Sequence, residues 1–339
     1  MPGIGANPNR GKGPRARGEV YALSSAPGAS RGPAPAPPVV YPVAPVRIDL
    51  DKYREAGRIA AEARNQAVAA IAPGVRYVAI LDEIERFIRS RGADLAFPAQ
   101  VSVNYVAAHD CCRPDDPRTF AAGDVAKVDL GVHVDGCIAD TAATADLGDH
   151  ADLLCASRNA LEAAIALVRP GTGTRQIGAA IQRAMLDAGH KPVSNLTGHG
   201  IAPYTIHCSP AIPNVPDGTD VRLKEGMMIC IEPFATTGRG TVVEQGRAEV
   251  FGARRKLKAP RSVDPGVIDQ IEARKGLPFC RRELAREHGE ERAERSLREL
   301  LRAGAVFEYP PLCERPGAIV AQFEHTMYVG PDGAEVMTR

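Results

Sequence analysis

Two aspartates are the residues whose spacing most directly suggests chemistry. Asp129 and Asp140 lie in two runs of β-branched and alternating apolar residues that meet at Asp135-Gly136, within VAKVDLGVHVDGCIADTAATADL (125–147). Asp-Gly between such runs predicts a β-hairpin with a two-residue loop. In that register Gly131 faces Asp140, so both carboxylates lie on one face, about 7–8 Å apart at Cα. Two like charges so close need a shared proton or a bound cation, unless both face solvent.

Three further side chains could complete a cation site. His199 in LTGHG, Glu232 in CIEPF and Glu324 in QFEHT all fall in segments that predict strands. Each is weak alone, but both glutamates interrupt strongly apolar runs, MMICIEPF and AIVAQFEHTMYV. An unpaired charge is costly in such a run unless it is neutralised or coordinated. We therefore expect a compensating partner for both glutamates.

Together these residues supply four carboxylates and one imidazole, with no cysteine among them. This donor set suits Mn, Fe, Co or Zn and is large enough for two ions. Two ions about 3.5–4 Å apart would share a water and lower its pKa, which yields a hydroxide nucleophile for amide hydrolysis.

The elements that must position these side chains show an internal repeat. Helical periodicity begins near Asp49 and stops at Pro73-Gly74, and a second helix is predicted at 78–91. The segment 94–110 predicts a strand, a turn at Pro98 and a second strand. Helices at 151–168 and 174–188 then repeat the pattern of a helix, Pro-Gly and a shorter helix ending in glycine, about 97 residues later. Strand-like segments follow at 191–215, 227–238 and 318–330. The sequence therefore predicts a duplicated α+β fold with a cleft between its halves.

Two segments differ from this pattern. Residues 1–45 are rich in Gly, Pro, Ala and Arg and predict a disordered arm, so we expect one catalytic domain over 46–339. Residues 251–305 are rich in Arg and Glu and predict a helical insertion outside the sheet, with helices at 265–276 and 281–303. A separate nucleic-acid module is the alternative, but the two charge types alternate too evenly to favour it.

The composition indicates which partners and which cellular compartment to expect. The chain has 42 basic and 41 acidic residues, a formal net charge of +1, which gives no global reason to expect DNA or an anionic membrane as partner. Apolar runs stay shorter than the ~18–20 residues of a membrane span. Eight cysteines without C-x-x-C spacing predict reduced thiols and a cytoplasmic location.

The motifs together resemble those of the methionine aminopeptidase family. The resemblance covers about 46–339 and is carried by AFPAQVSVNYVAAH, KVDLGVHVDGCIADTA, NLTGHGIAPYTIH, CIEPFATTG and YPPLCE followed by QFEHT. The long insertion between the two glutamate segments resembles the type II branch of archaea and eukaryotes. The fold implied is the duplicated pita-bread fold of M24 metallopeptidases, in agreement with the repeat.

The resemblance also implies roles for the metal ligands. Asp129 and Asp140 would hold one ion and bridge, His199 would bind the other, and Glu324 would bridge both. Glu232 would be a ligand and would accept the proton of the attacking water.

Substrate contacts are implied in the same way. His109 and His207 would bind substrate near the scissile amide and stabilise its developing oxyanion. The pocket for the methionine side chain would be formed by Phe97, Ile206, Phe234 and Tyr309. The sequence alone favours ordinary structural roles for all six residues.

The function implied is removal of the initiator methionine from nascent chains whose next residue is small, by two divalent ions of undetermined identity (Co, Mn, Fe or Zn). The expected partners are nascent polypeptides, with the ribosome as a further candidate, and we expect a monomer. A proline-specific aminopeptidase or creatinase relative is the enzymatic alternative on the same fold. A ribosome- or RNA-binding pseudo-enzyme is the other, although such a protein should lose ligands and all five are present here.

Overall fold

The structure is a computed structural model, and it describes residues 49–254 and 257–339. The arm predicted at 1–45 lies outside these residues. The described residues form seven helices: α1 (Leu50–Ala70), α2 (Tyr77–Ser90), α3 (Ala151–Ile165), α4 (Thr174–Asp187), α5 (Pro265–Ala273), α6 (Arg281–His288) and α7 (Glu290–Arg302). Within these two ranges no helix is both long and apolar enough to cross a membrane.

Seventeen short or medium strands accompany the helices in the described ranges. They are β1 (Asp94–Val103), β2 (Val106–Ala108), β3 (Val125–Val134), β4 (Cys137–Asp146), β5 (Lys191–Pro192), β6 (Thr197–Ala202), β7 (Thr205–Pro213), β8 (Met228–Ile231), β9 (Phe234–Thr236), β10 (Val243–Glu244), β11 (Val250–Ala253), β12 (Phe279–Cys280), β13 (Val306–Tyr309), β14 (Leu312–Cys313), β15 (Val320–Gln322), β16 (Glu324–Val329) and β17 (Ala334–Val336). The main sheet has the order β1-β3-β4-β16-β8-β6-β7, with β17 paired to β16. Three smaller sheets, β10-β14-β2, β12-β11-β13 and β15-β9-β5, complete the β structure.

Two helix pairs cover the two halves of the main sheet. Ile59 of α1 and Ile84 of α2 share one apolar core with β1 and β3. Leu153 of α3 and Ile177 of α4 share another with β8 and β16. Both bounds of α4 lie 97 residues after the corresponding bounds of α2, so the spacing of the predicted repeat is confirmed.

The hairpin β3–β4 has the predicted register. Val134 pairs with Cys137 and Gly131 with Asp140. The loop residues Asp135 and Gly136 both have positive φ, 49° and 88°, as a two-residue type I′ turn requires. Asp129 and Asp140 therefore lie on the same face of neighbouring strands, as the sequence predicts.

The turn predicted at Pro98 is wrong. β1 continues through Pro98 to Val103, and its pairing with β3 is irregular between Phe97 and Gln100. A bulge accommodates proline because that residue needs no hydrogen-bond partner for its nitrogen there. The chain turns instead at Asn104, whose φ is 55° and whose side chain donates to Asp124 and accepts from the Val125 N–H.

The segment 251–305 is not purely helical, and the single helix predicted at 281–303 is divided. Gly289, at a φ of 81°, ends α6 and begins α7. The helices share an apolar core with Phe251 of β11 and Phe279 of β12. The segment therefore builds a small core of its own beside the main sheet.

Buried ion pairs attach this segment to α2. Arg282 of α6 donates to Asp82 at 2.6 Å and also contacts Glu85, and Arg286 donates to both acidic residues at 2.9 Å. Arg282 and Glu85 are almost fully buried, whereas the Arg286 side chain is half exposed. A buried guanidinium between two carboxylates satisfies charges that burial alone would penalise.

An Arg282→Ala variant should lower the free energy of unfolding by up to about 3 kcal/mol, because Glu85 would lose its buried partner and keep only the more exposed Arg286 and Arg89. Urea denaturation of the wild type, this variant and Arg286→Ala measures the effect. The exposed Arg286 is the matched control and should cost about 1 kcal/mol or less. Equal losses in the two variants would contradict the buried role of Arg282.

Candidate metal centre

Three carboxylates meet because β16 lies beside the hairpin. Asp129 comes from β3, Asp140 from β4, and Glu324 is the first residue of β16, where it pairs with Ala142. Asp140 and Glu324 are only 4% and 2% exposed. One oxygen of each of the three carboxylates is buried without a hydrogen-bond partner. Buried carboxylate oxygens rarely remain unpaired, so the geometry leaves room for a ligand that they share.

His199 and Glu232 face these carboxylates from the other half of the sheet. His199 Nε2, on β6, is 3.6 Å from Asp140 Oδ2 and 3.8 Å from Glu232 Oε1. The other ring nitrogen, Nδ1, lies 3.2 Å from the carbonyl of Gly200. If Nδ1 carries the proton and donates there, the Nε2 lone pair points to the carboxylates, as in a metal-binding imidazole.

Glu232 does not lie on a strand, contrary to the prediction. It falls in the gap between β8 and β9, before Pro233. Proline has no N–H to continue the pairing, so the strand breaks beside the glutamate. Asn214 donates to the Glu232 carbonyl at 3.4 Å, and the Glu232 side chain is 15% exposed. It is thus more accessible than Asp140 or Glu324.

The electrostatics of this group favour a bound cation. Burial raises the pKa of Asp129 to about 7. Burial, and then the neighbouring carboxylates, raise the pKa values of Asp140, Glu232 and Glu324 well above their usual range. Burial lowers the pKa of His199 to about 4, so its ring is a neutral donor at neutral pH. Four crowded carboxylates and a neutral imidazole are the donors that a divalent ion neutralises and binds.

The two predicted substrate histidines lie next to this group. The ring of His207, on β7, packs edge-on against that of His199 at 4.4 Å between centroids. His109 has a left-handed φ of 66°, donates its backbone N–H to Gln100, and contacts the Tyr309 ring edge-on at 5.5 Å. Burial lowers the pKa values of both imidazoles, that of His109 to about 4. Both rings are therefore neutral, so each carries a single N–H, and His109 Nδ1 lies 3.2 Å from the Pro310 carbonyl.

The four predicted pocket residues do not share one apolar cluster. Phe97 of β1 and Ile206 of β7 pack in the same cluster. Phe234 of β9 belongs to another, beside Leu312. Tyr309 of β13 contacts His109 and packs against the core under α1 and α2. The structure thus places Phe97 and Ile206 in one apolar cluster, Phe234 in a second and Tyr309 beside a third.

Comparison with known proteins decides the family. The sequence profile of "Metallopeptidase family M24" matches residues 51–256, more than half of the chain. The chain belongs to metallopeptidase family M24. The predicted family, the pita-bread fold and a divalent metal as cofactor are thereby confirmed.

Individual M24 proteins extend the likeness beyond residue 256. A methionine aminopeptidase of Archaeoglobus fulgidus is 41% identical over 290 residues, which span 85% of this chain and 98% of that protein. "Methionine aminopeptidase 2" of Clavispora lusitaniae is 35% identical over 85% of this chain and 71% of that protein. The crystal structure of methionine aminopeptidase from Rickettsia prowazekii superposes with a TM-score of 0.63 at 26% identity, over 86% of this chain and 97% of that one. The prediction of a metal-dependent aminopeptidase is confirmed.

Three residues at this M24 centre were missed from the sequence. Gln322 of β15 lies with Nε2 3.4 Å from Asp129 Oδ2 and 3.5 Å from Glu324 Oε2. The hydroxyl of Thr326 accepts the Asp140 N–H and donates to the Asp140 carbonyl, each at 2.8 Å. The third is Cys230 of β8, whose sulfur is 3.1 Å from the same hydroxyl. Gln322 and Thr326 lie two positions before and after Glu324, and Cys230 lies two positions before Glu232. Because residues two apart on a strand share a face, this spacing is the signal in the sequence that could have revealed them.

Proposed function

We propose that this M24 enzyme removes the N-terminal methionine from nascent proteins whose second residue is small, using two divalent cations. The cations would be held by Asp129, Asp140, His199, Glu232 and Glu324. The observation that carries the proposal is the convergence of these five side chains with buried, unpaired carboxylate oxygens. The names of the relatives from Archaeoglobus fulgidus and Clavispora lusitaniae support methionine as the residue removed.

When bound, the cations would activate water and polarise the scissile carbonyl. Glu232 would accept the proton of that water and pass it to the leaving amine. Its partial exposure supports this role, because water and substrate can reach the carboxylate. His109 and His207 would bind the substrate near the scissile amide and stabilise the oxygen on which negative charge develops.

Four metals fit the donor set. Carboxylates and imidazole accept Mn, Fe, Co and Zn, and availability in the cell selects among them as much as affinity does. We also propose that the protein acts as a monomer in the cytoplasm, where nascent chains emerge from the ribosome. The nearly balanced charge of the chain, +1, supports a partner other than DNA or a membrane surface.

Methionine release from a short Met-Ala peptide tests the proposal. We expect release by the purified protein, loss of release after chelation, and recovery on addition of Mn, Fe or Co. An Ala-Pro peptide is the matched substrate for the proline-specific alternative and should remain uncleaved. Cleavage of Ala-Pro without cleavage of Met-Ala, or no cleavage of any Met peptide with any cation, would overturn the proposal.

A Gly131→Ala variant should raise KM for Met-Ala about tenfold and change kcat much less. Gly131 pairs with Phe97, and a Cβ at Gly131 would lie 2.3 Å from the Phe97 ring, so the ring must move. Displacing one wall of an apolar pocket typically costs 1–3 kcal/mol of substrate binding, roughly a factor of ten or more.

The double variant Gly131→Ala/Phe97→Leu separates the causes, because leucine removes the ring that the new methyl group meets. We expect KM to recover partly in the double variant. An unchanged KM in the single variant would contradict a substrate-binding role for Phe97.

A further inference from the structure

Cys230 lies next to three of the predicted metal ligands, Asp140, His199 and Glu324. It is fully buried on β8 and pairs with Thr326 of β16. Side chains two positions apart on a strand point to the same side. Thr326 therefore points to the same side as Glu324, and Cys230 points to the side on which Glu232 follows the end of β8. The Cys230 sulfur and the Thr326 hydroxyl, 3.1 Å apart, therefore lie beside the carboxylates.

Four different donors surround one point there. The Cys230 sulfur, a ring nitrogen of His199 and one carboxylate oxygen each from Asp140 and Glu324 all lie within 4.8 Å of one another. Asp140 Oδ1 and Glu324 Oε1 are buried and have no hydrogen-bond partner. Sulfur, nitrogen and oxygen are all donors that Zn²⁺ accepts, and four donors this close together can contact one ion. Of the eight cysteines, all of which lie in the described ranges, Cys230 alone belongs to such a group.

We propose that Cys230 gives the His199 side of the metal centre a sulfur ligand for thiophilic divalent cations such as Zn²⁺ and Cd²⁺. On binding, the metal–sulfur bond forms, the S–H bond breaks, and the proton passes to solvent. Harder cations such as Mn²⁺ bind through the carboxylates and imidazole without the sulfur, because thiolate favours soft metals. The inference rests on the metal centre of the proposed function but not on its peptide substrate.

The arrangement around Thr326 permits this change of partner. The Thr326 hydroxyl keeps both of its bonds to the Asp140 backbone, each 2.8 Å long, when the thiol turns away. Loss of the contact with Cys230 therefore leaves no buried hydroxyl unpaired. The competing explanation is that Cys230 only packs and hydrogen-bonds Thr326, and the two explanations predict different spectra.

Cd²⁺ titration of the full-length, metal-free protein tests the proposal. The wild type should develop an ultraviolet thiolate-to-cadmium charge-transfer band, and Cys230→Ser should lack it. Cys208→Ser is the matched control, because Cys208 is a less buried cysteine on β7 outside the ligand group, and it should keep the band. We also expect the Kd for Cd²⁺ to rise about 10- to 100-fold in Cys230→Ser while the Kd for Mn²⁺ changes less than about threefold.

A second measurement guards against misfolding. The visible absorption of bound Co²⁺ reports the carboxylate and imidazole ligands, and it should persist in Cys230→Ser. If the serine variant does not fold, Cys230→Ala takes its place in the same measurements. A band that survives in the Cys230 variant, a wild type without a band, or equal losses of Cd²⁺ and Mn²⁺ affinity would overturn the proposal. Absence of methionine release with an intact band would overturn the proposed function alone.

Discussion

Glu232→Gln should lower kcat for Met-Ala hydrolysis by about 10²- to 10⁴-fold, the usual contribution of a positioned general base. Glutamine has the size of glutamate and keeps one carbonyl oxygen near His199 Nε2, which lies 3.8 Å from Glu232 Oε1. It cannot accept the proton of the attacking water. Because the loss concerns the transition state, KM should change by less than about threefold.

Steady-state kinetics and metal analysis of the same preparations check this result. Glu244→Gln, on the exposed strand β10, is the control and should have wild-type kinetics. An active Glu232→Gln enzyme would exclude Glu232 as the base. Loss of both ions in the variant would instead assign Glu232 to metal binding alone.

Glu324→Ala should abolish turnover and metal binding together. Glu324 is almost fully buried and one of its oxygens has no partner in the protein, so its main contacts are those that a cation would supply. We expect the metal content to fall from two ions to one or none, and activity to fall by at least about 10³-fold. Metal analysis and methionine release are the measurements. A ribosome-binding pseudo-enzyme would tolerate the change, so retained metal and unchanged partner binding would favour that alternative.

The conservative variant Glu324→Gln adds a test of the electrostatics. The pKa of Glu324 is raised in the folded, metal-free protein, so its ionisation destabilises that form once the pH exceeds the pKa of the unfolded chain, and the penalty grows until the pH reaches the raised pKa. Glutamine removes the charge and keeps the volume. At pH 8 the metal-free variant should therefore unfold at the same or a higher temperature than the metal-free wild type, while its metal affinity falls.

The hairpin shows why part of the centre could be predicted from sequence. A two-residue Asp-Gly loop fixes the register of its strands, and this register places Asp129 and Asp140 on one face without tertiary information. His199, Glu232 and Glu324 were candidates from residue type and from the apolar runs around the glutamates, and the family resemblance supplied their roles beside that pair. No local pattern links residues that lie so far apart in the chain.

The structure departs from the sequence predictions at Pro98 and Gly289 for local reasons and around the metal ligands for long-range ones. Proline predicts a turn, but at Pro98 the sheet accommodates it in an irregular stretch of β1. Helical periodicity continued through Gly289, which the backbone uses to separate α6 from α7. Two-residue alternation marks Gln322, Thr326 and Cys230 as candidates, but their proximity to the other ligands depends on β16 pairing with both β4 and β8. Such pairing depends on the whole fold rather than on sequence neighbours.

The place of β16 also bears on how the enzyme is made. This strand comes late in the chain, yet in the main sheet it occupies the position between β4 and β8. During synthesis the hairpin with Asp129 and Asp140 emerges about 180 residues ahead of Glu324 and must wait for it, at roughly 5–20 residues per second. Each new molecule can therefore complete this group of side chains only after Glu324 has been synthesised.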